Sequence, residues 1–100
     1  MEKTSVPIAC TLTADQLRER REGLLRKVGS SLQQTLEREG GYAFRFPPEL
    51  FDELSRIVGL ERRCCPFLRF VLTSEPSDGP VWLEITGPAE SKSFLATFWE

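Results

Sequence analysis

Three cysteines and one glutamate carry most of the chemistry available to this 100-residue sequence: Cys10, the adjacent pair Cys64 and Cys65, and Glu61. Thiolates bind Cu(I), Zn(II) and other thiophilic ions far better than oxygen ligands do. Cys64 and Cys65 can supply two sulfurs, and Cys10 a third if its strand lies beside the helix end. Arg62 and Arg63 favour the thiolate form, whereas a helix C-terminus at the pair opposes it. Neighbouring Cα atoms sit ~3.8 Å apart, short of the ~4.4–6.8 Å span of a usual disulfide, so the pair is not expected to bridge itself. The odd count also argues against a disulfide framework. A redox role, with Cys10 resolving an oxidised Cys64 or Cys65, lacks the support of a C-x-x-C motif or a histidine. A purely structural role is the third reading, because free cysteine packs as a small hydrophobe.

Glu61 precedes the cysteines by three and four residues, which puts it on their side of a helix. It also interrupts an apolar stripe, Leu50, Leu54, Ile57, Val58 and Cys65, where an ordinary amphipathic helix carries an aliphatic residue. A carboxylate there must be paired, protonated or functional. Arg45 or Arg69 could form a salt bridge with it, as could a thiol proton or a bound ion. In the metal reading Glu61 is an outer partner or proton acceptor for ligands Cys10, Cys64 and Cys65. Phe67, Phe70 and Trp82 could line a small-molecule pocket, although aromatics at strand period more often fill a core.

Composition narrows the function classes. There is no histidine, so the commonest general base and any His-metal site are missing; an enzyme is not the expectation. Thirteen basic and fifteen acidic residues give a net charge of −2, which argues against nucleic-acid binding through bulk charge. No apolar run approaches the ~18 residues of a membrane span. The start, Met1-Glu2-Lys3-Thr4-Ser5, has no apolar secretory core. A cytoplasmic protein is expected.

The elements that must position these residues are readable in order. Val6, Ile8, Cys10 and Leu12 alternate as a strand, with Pro7 placing it at an edge; residues 1–4 are expected to be frayed. Thr13-Ala14-Asp15-Gln16 is a capping box opening a helix whose stripe is Ala14, Leu17, Leu24, Leu25 and Val28. Its charged side, Arg18 to Lys27, reads as solvated, and Gly29 stops it. Leu32, Gln34 and Leu36 alternate, Glu39-Gly40-Gly41 turns the chain, and Tyr42, Phe44 and Phe46 return. Pro48 opens the second helix, and Pro66 ends it at about Cys64. Leu68, Phe70 and Leu72 form a strand face, residues 75–80 a turn, and Val81, Leu83 and Ile85 another strand face. Gly87-Pro88 leads to a last helix carrying Phe94, Leu95 and Phe98. The expected fold is α+β, one domain over 1–100. It has a single antiparallel sheet of about five strands with helices on one face, in the order βαββαββα. Val71 and Trp82 on the far face mark a homodimer surface.

The segment Glu61-Arg62-Arg63-Cys64-Cys65-Pro66-Phe67-Leu68-Arg69-Phe70 resembles the E-x-x-C-C-P-F-x-x-F core of a small, functionally uncharacterised bacterial domain family. Ile8-Ala9-Cys10-Thr11-Leu12 and Leu83-Glu84-Ile85-Thr86-Gly87-Pro88 are similar to that family's opening and closing segments. The same domain occurs as a C-terminal extension of some mercury-resistance-type transcription regulators. The resemblance implies heavy-metal sensing or handling at Cys10, Glu61, Cys64 and Cys65. This chain has no helix-turn-helix DNA-binding segment, so direct DNA regulation is not carried over. The leading expectation is a soft-metal or metalloid binder. The alternatives are an interaction or dimerisation module with structural cysteines, and a thiol redox protein.

Overall fold

The computed structural model describes residues 21–99. The expected first strand, Cys10 and the capping box lie outside them. The described chain is α+β. A π-helical turn, Arg21–Leu25, runs into α1, Arg26–Gly29. Strands β1 (Gln34–Arg38) and β2 (Gly41–Phe46) form a hairpin. A 3-10 turn at Pro48–Leu50 leads into α2, Phe51–Cys64. Then come β3 (Arg69–Ser74), β4 (Val81–Thr86), a second 3-10 turn at Ala89–Ser91 and α3, Lys92–Ala96.

The four described strands make one antiparallel sheet in the order β1-β2-β4-β3. The fifth expected strand falls outside the described residues, so the sheet has four rather than about five there. Chain-adjacent hairpins account for two of the pairings. The third joins β2 to β4, with Phe44 opposite Leu83 and Tyr42 opposite Ile85. That pairing encloses α2 and β3 between the two central strands in sequence.

Period-two alternation sorts the side chains. Phe44, Phe46, Val81, Leu83 and Ile85 face the core with Leu25, Val28, Leu54, Ile57 and Leu95. Each fully buried aliphatic or aromatic side chain contributes about 1.5–3 kcal/mol. The other face carries Leu36, Ala43, Glu84 and Val71 in one cross-strand row, with Arg45, Trp82 and Thr73 in the next. Two details depart from the sequence pattern. Leu32 precedes β1 and packs against the core, while Gln34 and Leu36 point to the opposite face. The hairpin turn is Glu39-Gly40, with Gly40 at φ +80°; Gly41 is already the first residue of β2.

Candidate metal centre

Cys64 is the last residue of α2, and Cys65 leaves the helix at φ −126°, ψ 69°. The reason is local. Pro66 crowds a helical residue before it, so the final helical bond, from Cys65 N–H to Glu61 O at 2.7 Å, closes the helix. Leu68 N–H then bonds Cys65 O at 3.0 Å and starts the run into β3. Arg62 and Arg63, both exposed, sit in the last helical turn and oppose its negative end.

Helical spacing brings Glu61 onto the cysteines. Its side chain is fully buried, as are both cysteines. Cys64 Sγ and Cys65 Sγ each lie 3.7 Å from Glu61 Oε1 and 3.5 Å from one another. One ligand atom from each residue falls within 4.8 Å of the others, so the three could hold a metal ion. The two sulfurs belong to the hydrophobic core cluster, where water has little access to a bound centre.

The sulfurs are not in the same chemical state. Cys64 is disulfide-bonded, while Cys65 keeps its thiol. The odd cysteine count rules out pairing all three and leaves room for one bridge. As the bond geometry implies, Cys64 and Cys65 do not bridge each other. The Cys65 thiol is a proton donor within reach of Glu61 Oε1.

The expected arginine partners are elsewhere. Arg45 shares its face of the sheet with Trp82 and donates to Gln33 Oε1 at 3.1 Å. Arg69 is exposed opposite Thr86. Both project to the face away from α2, so neither pairs with Glu61. Cys10 lies outside the described residues.

The aromatic expectation is also redistributed. Phe67 and Phe70 pack at the edge of the core. Trp82 lines a concavity of about 250 Å³ on the outer face with Arg38, Val71 and Glu84. A second hollow, about 280 Å³, lies on the helix side between Leu32, Thr35, Tyr42, Phe44 and Trp99. Trp99 joins edge-to-face contacts with Phe44, Phe46 and Phe98 at centroid distances of 5.5, 5.1 and 4.8 Å. Its Nε1 is buried with no hydrogen-bond partner among the described residues. The last-helix stripe is Phe94, Leu95 and Phe98 with Trp99 only nearby, and the role of Trp99 depends on where β2 lies.

No protein-family model, curated protein or solved structure matches the chain.

Proposed function

We propose that this chain is a non-enzymatic binder of a thiophilic metal or metalloid ion, held at the α2–β3 corner. Cys64 and Cys65 are the sulfur ligands, Glu61 is the adjacent carboxylate, and Cys10 is a third sulfur. The observation that carries the reading is the buried convergence of Glu61, Cys64 and Cys65. A lone buried cysteine is ordinary; two sulfurs sharing one buried carboxylate oxygen are not. The disulfide at Cys64 sets a condition, because that sulfur must be reduced before it can coordinate. A reducing cytoplasm meets the condition, and the cytoplasm is the proposed location. The resemblance to the domain found in mercury-resistance-type regulators fits the same reading.

The test is native mass spectrometry of the reduced protein titrated with Hg(II), arsenite, Cu(I) and Zn(II), beside Cys64→Ser/Cys65→Ser. One ion per chain, lost in the folded variant, is expected. Uptake of none of the four ions by the reduced folded protein sinks the reading. So does unchanged uptake by the variant.

A second copy of this chain is the proposed partner, docked on the outer sheet face. Half-buried Val71 and Trp82 share that face, and no described element packs over it.

A further inference from the structure

Ions that bind thiolates differ in the angle they demand between two sulfurs. The Cys64 and Cys65 sulfurs are 3.5 Å apart. Two metal–sulfur bonds of about 2.3 Å spanning that gap meet at roughly 100°. A linear two-coordinate centre needs its sulfurs about 4.6 Å apart at that bond length, and a tetrahedral one about 3.8 Å. Both sulfurs are fully buried in the core cluster, and close packing restricts the side-chain rotation that would open them toward the linear spacing.

Building on the soft-ion reading, we infer that the centre is shaped for a trivalent, pyramidal metalloid, arsenite or antimonite, rather than for a linear or tetrahedral metal ion. A lone pair on trivalent arsenic closes its three bonds below the tetrahedral angle, which suits the narrow bite. Capture is a condensation. Two S–H bonds and two As–OH bonds break, two As–S bonds form, and two waters leave; arsenic stays trivalent throughout. Glu61 Oε1, 3.7 Å from each sulfur, is placed to accept a thiol proton as that sulfur attacks. With these two sulfurs alone, the third arsenic bond keeps its hydroxyl. The adduct of two thiolates with As–OH is neutral, and a neutral centre costs least to bury in an apolar cluster.

The experiment is competition on the reduced full chain between inorganic arsenite and Zn(II), Cu(I) or Hg(II). Native mass and the near-ultraviolet arsenic–thiolate absorption are the two readouts. Arsenite is expected to bind one per chain with loss of at least two waters, at least tenfold tighter than Zn(II). The oxidised protein, whose Cys64 sulfur is already bonded, is a folded control expected to take up none. Cys65→Ser is expected to weaken arsenite more than a hundredfold. If Zn(II), Cu(I) or Hg(II) binds one per chain while arsenite binds no tighter than to free glutathione, the pyramidal assignment falls and the soft-ion site stands. If no ion binds, both fall.

Discussion

Glu37 and Lys92 show how much a single exposed pair can contribute to tying elements together. Lys92 Nζ donates to Glu37 Oε2, linking β1 to the start of α3, and it also lies 5.7 Å from the centre of the Tyr42 ring. The hydrogen bond from Lys92, and then its charge, hold the Glu37 carboxyl below its usual value of 4.5. The same hydrogen bond raises the Lys92 ammonium above its usual 10.5. A depressed carboxylate stabilises the fold above its unfolded value and loses that contribution as pH falls through the folded one. A raised ammonium stabilises below its unfolded value and loses it as pH rises through the folded one. Lys92→Met should therefore lower the urea midpoint most near neutral pH. The gap to the parent protein should close in acid below the Glu37 range and in alkali above the Lys92 range. Molar salt should shrink it, since both groups face water. A gap independent of pH would mean that only packing was lost. The buried carboxylate, Glu61, differs in kind: its neighbours within reach include two sulfurs, and its removal would disturb the core as well as the centre.

At the scale of elements, the glycines separate local propensity from close packing. Gly59 lies in α2 with open space around the position of an added Cβ. Its only cost is the backbone freedom it loses on folding, so Gly59→Ala should stabilise by about 1 kcal/mol. Gly41 starts β2, where an added Cβ would come 1.9 Å from the Ile85 carbonyl oxygen. The β2–β4 ladder would have to move, and Gly41→Ala should destabilise by more than about 2 kcal/mol. Equilibrium urea unfolding of both variants measures the contrast. A neutral Gly41→Ala would contradict the register that sets Tyr42 against Ile85. The result bears on the site, because β4 pairs with β3, and β3 is the strand into which the Cys64–Cys65 corner leads.

For the whole molecule, the sheet divides two tasks. Its inner face and the helices bury the sulfurs and Glu61. Its outer face presents Leu36, Val71 and Trp82, with the Arg38–Glu84 pair at 3.7 Å among them. A twofold pairing of two such faces would bring Trp82 against its own copy, in the isologous arrangement common to homodimers. An interface of ordinary size takes about 800 Å² from each partner. Sedimentation equilibrium should show a dimer that Trp82→Glu converts to a folded monomer. A parent protein that sediments as a monomer at about 100 μM, a concentration at which a dimer with a Kd of about 10 μM is largely formed, would remove the homodimer proposal.

Local periodicity determined much of this protein without its tertiary structure. The strand alternation of Tyr42 to Phe46 and Val81 to Ile85, the helix ending at Cys64 before Pro66, and the adjacency of Glu61 to both cysteines all follow from spacings of two, three or four residues. Those spacings act within one element and need no knowledge of its neighbours. Strand order was a different matter, because pairing β2 with β4 joins segments separated by α2 and β3. That pairing sends Arg45 and Arg69 to the face opposite Glu61, sets Trp99 against Phe44 and Phe46, and turns Leu32 inward. The oxidation of Cys64 while Cys65 keeps its thiol was likewise beyond any local pattern, since a disulfide depends on which sulfurs meet in space. The sequence determined the donor set at the corner; the tertiary structure decided its burial, its bite and which charges stand away from it.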